Sequence, residues 1–244
     1  MRLEEVLLAI RAYARVPRFI RQHKLWAYLI VPGIIHLCML VGMFFVAREI
    51  GGEVAQYLMD WMQQPENSWQ KALAWILGFG VKMLLFFLYF LIYKSLILII
   101  MTPLLALLSE KVDSIVTGND YPFSWTQLMK DIWRGIGIAM RCLFYELMLL
   151  LVVSMFTWVF APILAFFISA YFWGVAMVDF NSERKRFNIK QSFAYIRRHR
   201  GLALGNGIVF YGMFLIPVLG WMVAPTFGII AATLAVLESD KAHA

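Results

Sequence analysis

Residues 142–178 read CLFYELMLLLVVSMFTWVFAPILAFFISAYFWGVAMV, 37 residues with a single charge, Glu146, and a single proline, Pro162. A straight helix crosses the hydrocarbon core of a bilayer in roughly 20 residues. This stretch is too long for one crossing and too short for two crossings joined by a turn. Pro162 stands near its middle, and proline lacks the amide hydrogen that the helical ladder needs. Two half-length helices of about 17 residues would each rise ~25 Å and return to the side they left. The stretch is therefore expected to form a re-entrant helical hairpin, whose turn must be buried in protein or line a cavity.

Three further apolar blocks complete the chain. Leu25–Ala47 is 23 residues long and reads as one span. Ala72–Leu108 has no proline before Pro103, so it reads as one long helix that leaves the membrane near its end. Leu202–Leu237 carries Pro217 and Pro225 and reads as a second re-entrant hairpin. The expected fold is an all-α integral membrane protein with two long transmembrane helices, two half-penetrating hairpins and interfacial amphipathic helices. Residues 1–244 are expected to form a single membrane domain. Complete hairpins, giving six spans, are the alternative that block length leaves open.

Composition agrees with a membrane location. Of the 244 residues, 62% are hydrophobic and 15% charged, whereas soluble domains are about half apolar and about a quarter charged. A soluble fold of this size lacks the interior to hide so much apolar surface. The net charge of +7 is unevenly distributed: six Lys/Arg fall in residues 1–24 and seven in 179–201, but only two in 48–71, beside four acids. The positive-inside bias then puts the N-terminus and the 179–201 segment in the cytoplasm and 48–71 outside. That bias accounts for the charge without a nucleic-acid partner. Cys38 and Cys142 have no metal-type spacing and imply neither a disulfide framework nor a zinc site. The N-terminal stretch lacks the pattern of a cleaved signal peptide.

Three connecting segments have the periodicity of helices lying on a membrane surface. Leu3, Val6, Leu7, Ile10 and Ala14 share one helical face. Trp125, Leu128, Met129, Ile132, Trp133, Ile136 and Met140 share another, after a start marked by Ser124, Gln127 and Phe123. In residues 189–200, Ile189, Phe193 and Ile196 align, with Asn188 and Gln191 spaced as a capping box. Basic rims on such helices suit anionic headgroups. Packing against neighbouring helices explains the same patterns equally well.

No motif of an enzyme is present: no Gly-rich phosphate loop, no HExxH, no nucleophile elbow, no carboxylate–histidine cluster. The chain is expected to be neither an enzyme nor the carrier of a cofactor. Polar residues within the apolar blocks are His36, Lys82, Lys94 and Glu146, and in lipid such residues are functional candidates by default. Lys94 and Glu146 lie near block ends, where snorkelling suffices to explain them. Lys82 lies deeper and is open to a polar path, and His36 follows Pro32-Gly33. The basic clusters can also act as an anion funnel.

Several stretches carry a family resemblance. Thr102-Pro103-Leu104-Leu105-Ala106-Leu107-Leu108-Ser109-Glu110-Lys111-Val112, closed by Thr117-Gly118, resembles the pattern "APFN-x-LLAE-x-V/L-E…LTG". Residues 170–180, from Ala170 through Trp173 to Asp179-Phe180, resemble "W-x-L-A-x-Q-Y-x-D-Y". Ile216-Pro217 through Ala224-Pro225, followed by Ala231-Ala232-Thr233-Leu234, resembles "IP-L-N-L-x-x-MP…GAT". These patterns belong to the CysZ-type sulfate transporters and the wider etoposide-induced membrane protein family, and they occur in family order over roughly residues 10–238. The resemblance implies a bacterial inner-membrane homo-oligomer that takes up sulfate for cysteine biosynthesis without ATP hydrolysis or a redox cofactor.

One departure bears on the substrate. The family's sulfate-associated motif, "PG-L/I-R-x-F-V…PL-x-x-N", aligns with His23-Lys24-Leu25-Trp26-Ala27-Tyr28 and Pro32-Gly33-Ile34-Ile35-His36. Trp26 occupies the arginine position and His36 the asparagine position. An indole offers one neutral donor where a guanidinium offers paired, charged ones. The anion site expected here therefore consists of Arg21, Lys24, His36 and Lys82. Its ligand is a small inorganic anion, sulfate first, carried by a transporter or channel. The alternative is a lipid-interacting or membrane-assembly protein of the same fold that transports nothing.

Overall fold

The structure, a computed structural model, describes residues 3–61, 69, 76, 79, 100–122, 124–156, 160–216 and 219–243. Every regular element among them is an α-helix. They are α1 (Leu3–Gln22), α2 (Ala27–Trp61), α3 (100–117), α4 (Trp125–Phe156), α5 (Ala161–Arg184), α6 (Ile189–Arg198), α7 (Arg200–Phe214) and α8 (Leu219–His243). The chain divides into two compact units, one of Met1–Ile34 with Leu98–Ala244, the other Ile35–Ile97. Most of the second apolar block, with Lys82 and Lys94, lies outside the described residues.

Among the described residues, three helices are long and apolar enough to cross a membrane: Trp125–Val153, Ala161–Arg184 and Leu219–Ala242. The first block forms the start of α2, where Ala27–Met39 is a shorter apolar helix. Helix is interrupted at residue 160 and at residues 215–216, near the middles of the third and fourth blocks. α4 ends at Phe156 and α5 opens with Pro162 in its first turn, where the missing amide costs nothing. α7 ends at Phe214 and α8 begins at Leu219. The Trp221 indole donates to the Phe214 carbonyl at 2.8 Å, filling one of the acceptors that a helix end leaves open. Pro225 does not break the chain; it sits inside α8.

α7 holds the larger unit together. Its small residues let neighbouring backbones approach closely, the packing mode of membrane helices. A Cβ at Gly207 would lie 1.7 Å from the Ala170 carbonyl oxygen of α5, and one at Gly174 would lie 1.7 Å from the Ala203 carbonyl oxygen of α7. Ala170/Gly174 and Ala203/Gly207, each pair four residues apart, therefore cross backbone to backbone. On another side, a Cβ at Gly205 would lie 2.5 Å from the Val6 carbonyl oxygen of α1. Asn206, fully buried, donates to the Gly228 carbonyl of α8 at 3.1 Å. The Tyr13 hydroxyl of α1 donates to the Asn206 carbonyl at 3.0 Å. One polar side chain thus links three helices, and its amide does not enter an apolar core without partners.

The surface-helix expectations fare differently. In α1, Leu3, Leu7, Ile10 and Ala14 are exposed, as an interfacial face requires, while Glu5, Ala9, Ala12, Tyr13, Val16 and Ile20 are buried on the opposite side. In α6, Ile196 is buried and Ile189 packs so closely that a Cβ at Gly137 would lie 3.2 Å from it. That helix packs against its own neighbours, and its Asn188–Gln191 capping box is complete. The segment 125–140 is not a separate element. It is continuous with the third apolar block as the 32-residue α4, because no proline interrupts it and Gly135 and Gly137 are tolerated. The Ser124 hydroxyl accepts from the Gln127 amide at 3.4 Å, but the Gln127 side chain turns forward to Asp131 at 2.7 Å instead of completing a box.

Candidate functional site

Polar residues at the ends of α3, α4, α5 and α8 meet at one end of the larger unit. Arg134 of α4 grips Asp179 of α5 with both terminal nitrogens, at 2.9 and 3.0 Å, and donates through Nε to the Phe187 carbonyl at 2.9 Å. Bidentate geometry of this kind fixes orientation as well as charge. Ser192 of α6 donates to the same Asp179 carboxylate. Glu183 approaches Arg134 more loosely, at 3.5 Å. Arg184, one residue on, donates to the Ser109 carbonyl at 2.8 Å and pairs with Asp113 at 3.2 Å, tying α5 to α3. Asp113 also accepts from Tyr121 and Asn119 beyond the end of α3.

The same end receives both termini of the described chain. Glu5 of α1 meets His199 at 3.1 Å, and Arg15 meets Glu238 at 2.6 Å. Lys185 pairs with Asp240 at 2.6 Å and lies 4.4 Å above the Tyr195 ring. The N-terminal helix and the 179–201 segment, which charge counting assigned to one side, thus sit together. Burial and the adjacent Asp240 carboxylate push the Tyr195 phenol up, so it remains a donor. Burial and the nearby Asp131 carboxylate push Glu110 up as well.

Beside this network lies an open pocket of about 380 Å³ between the start of α4 and the α5–α6 connection. Lys130, Asp131, Arg134, Glu183, Arg186 and Phe187 line it. Asp131 and Glu183 are buried, while Lys130 and Arg186 are exposed.

Of the expected anion-site residues, Arg21 and Lys24 are brought together at the α1–α2 turn, both exposed. The turn is built by the Leu25 amide donating to the Ile20 carbonyl at 3.1 Å, with Lys24 at φ 54°. That is a Schellman-type closure with a lysine at the left-handed position that glycine favours. Leu25 is buried and Trp26 half exposed. His36 is buried in α2 and belongs to the other compact unit. Lys82 lies outside the described residues. Glu146, near its block's start, is buried and accepts from Ser169 at 2.7 Å, joining α4 to α5. Sequence reasoning did not single out Arg134, Glu183 or Arg184. For Glu183 and Arg184 the one signal was the dense run of charge that begins at Asp179, where the third apolar block ends; Arg134 lies outside that run.

The family model described as Sulfate transporter CysZ/Etoposide-induced protein 2.4 matches residues 12–225. The chain belongs to this family. A protein of Pseudomonas fluorescens Pf0-1 called Sulfate transporter CysZ is 26% identical over 215 residues, covering 85% of this chain and 84% of its own length. One of the same name from Pseudomonas aeruginosa LESB58 is 33% identical over 143 residues, 56% of this chain and 58% of that protein. A third, from Vibrio parahaemolyticus, is 25% identical over 209 residues, 81% of each chain. The CysZ family match spans both the α1–α2 turn and the Arg134–Asp179 network. Together with the apolar helices it makes this chain a membrane protein, and the family is by name one of transporters.

Proposed function

We propose that the protein carries sulfate across a bacterial inner membrane, as a homo-oligomer of one membrane domain per chain, supplying cysteine biosynthesis. The observation that carries this reading is the family match over residues 12–225, joined by relatives named for sulfate transport. Flux of radiolabelled sulfate into proteoliposomes tests it. Uptake above empty vesicles is expected, and its absence for sulfate, sulfite, phosphate and chloride alike would overturn it.

The proposed entry site is the α1–α2 turn, with Arg21 and Lys24 and, along the path, His36 and Lys82. A lysine presents a solvated point charge where the family motif has a rigid guanidinium fork, so binding should be weak. Lys24→Ala is expected to lower sulfate affinity about tenfold, the loss of one charge-assisted contact. Trp26→Arg is expected to raise affinity. The accompanying Leu25→Gly would restore more of the family motif, but Leu25 is buried and its loss would damage the turn. Calorimetry on detergent-purified protein reads both variants; unchanged affinity in both would remove the site from this turn.

The hairpins are proposed to be half-inserted. α7 supports this for the second: its 15 residues rise only about 22 Å, short of a hydrocarbon core of about 30 Å. With both termini of each hairpin in the cytoplasm, cysteines introduced at Gln63 and Lys185 should label from opposite sides of the membrane. Labelling from one side would refute the two-span frame, and labelling at Pro162 from outside would favour complete hairpins.

The exposed apolar face of α1 favours a second reading, that of a lipid-organising protein of the same fold. A lipid scramblase assay in the same vesicles separates it from transport. Lipid movement without sulfate flux is its signature.

A further inference from the structure

The pocket beside the Arg134 network holds an unusual balance of charge. Arg134 is committed to Asp179 at 2.9 and 3.0 Å. Arg134 also reaches Glu183 at 3.5 Å, and beyond these contacts the lining holds the Asp131 carboxylate and two cations. Asp131 and Glu183 are each 8% exposed and form the floor; Lys130 and Arg186 are exposed and stand at the mouth. Among the described residues, neither Lys130 nor Arg186 makes an ion pair. An isolated anion drawn to the mouth would lie against the carboxylates, and an isolated cation drawn to the floor would pass the two basic residues. A ligand bearing both charges satisfies both layers, and like charges are not forced together.

The backbone adds a second observation. α5 closes with the Arg186 amide donating to the Glu183 carbonyl at 2.8 Å and the Phe187 amide donating to the Ser182 carbonyl at 3.1 Å. Arg186 itself stands at φ 53°, in the left-handed region. This is the position of a helix terminus that glycine fills most readily. An arginine there works against the local preference while projecting its charge at the pocket mouth, and such an outlier points towards a role for the side chain.

We propose that this pocket binds a small zwitterion whose ammonium and acidic groups lie a few bonds apart. The ammonium rests on Asp131 and Glu183 and the acidic group on Lys130 and Arg186. The ligand chemistry is that of a free α-amino acid or of the ethanolamine phosphate headgroup of a membrane lipid. The inference does not depend on which ion the protein transports.

Calorimetry on the full-length protein in detergent separates the possibilities, with glycine and O-phosphoethanolamine as zwitterions and ethylamine and methyl phosphate as single-charge controls. At least one zwitterion is expected to bind about tenfold or more tightly than either control, each charge contributing one assisted contact. In a second arm, melting temperature is compared in nanodiscs of phosphatidylethanolamine and phosphatidylcholine. The trimethylammonium of the latter has no N–H to donate to the floor carboxylates. A shift there without soluble binding assigns the site to lipid, and soluble binding assigns it to a free ligand. Arg186→Gly relieves the backbone while deleting the guanidinium, so it should melt no lower than wild type yet lose the zwitterion or lipid effect about tenfold. Asp131→Asn should do the same to the ammonium side. The proposal is overturned if a single-charge control binds as tightly as the zwitterions, if Arg186→Gly behaves as wild type in both arms, or if neither arm shows binding.

Discussion

Gly207→Ala is expected to disrupt the folded core of the larger unit, whereas Gly212→Ala, on the same helix, is expected to leave it intact or stabilise it. The added methyl at 207 would sit 1.7 Å from the Ala170 carbonyl oxygen. That obstacle is backbone, and it cannot rotate away as a side chain would. α5 and α7 must separate along their whole contact, which includes Trp173 against Phe210 at 4.7 Å and against Phe214 at 5.0 Å. Overpacking relieved by side chains costs about 1–3 kcal/mol, so a separation of helices should cost about 3 kcal/mol or more. At Gly212 nothing lies within 4 Å of the added atom, and alanine there gains up to about 1 kcal/mol of helix propensity. Melting temperature and the size-exclusion profile in detergent read the contrast. Similar behaviour of the two variants would mean that α5 and α7 do not cross at these glycines.

The second large effect belongs to Arg134. Its side chain is 13% exposed and that of Asp179 6%, so solvent screens the pair little. Arg134→Met removes the bidentate partner of Asp179 and the 3.5 Å partner of Glu183. Breaking a buried pair from one side costs about 3–5 kcal/mol, because the remaining charge is buried without compensation. Arg134→Lys keeps the charge but offers a single point in place of a fork and should recover only part of that loss. The double variant Arg134→Met with Asp179→Leu should be more stable than Arg134→Met alone. A double-mutant cycle by thermal or denaturant unfolding measures the coupling. If the double variant were no better than the single, the pair would not be the stabilising unit.

The extent to which the fold could be read from sequence depended on what each residue reports. Pro162 marked the start of α5 because a missing amide is a local fact. Pro225 misled for the same reason in reverse: a proline inside a packed membrane helix can be accommodated by its neighbours. The limits of α4 and α8 were misjudged because block counting detects where lipid ends, not where the helix ends. The charged 125–141 segment was read as a separate surface helix, yet it runs on without a break into the third apolar block as α4. Charge counting grouped α1 with the 179–201 segment, and the two do meet, through Glu5 and His199. The partnership of Arg134 with Asp179 was out of reach, because it spans 45 positions and depends on how α4 and α5 register against each other. At the α1–α2 turn, the proposed anion site, the exposure of Arg21 and Lys24 agrees with their charge, but the burial of Leu25 was not legible.

The clasp of α1 on α7 has a consequence for biosynthesis. Tyr13 and the Asn206 carbonyl it bonds are 193 positions apart. At about 5–20 residues per second, the ribosome needs roughly 10–40 s to deliver the docking surface after the first helix has emerged. Through that interval Ala9, Ala12 and Val16, which end up fully buried, have no partner. The outward face bearing Leu3, Leu7 and Ile10 is what can moor the helix to the bilayer surface meanwhile. Helices α7 and α8 then arrive as a keystone, and a nascent chain halted before Arg200 leaves its own first helix with nothing to close upon.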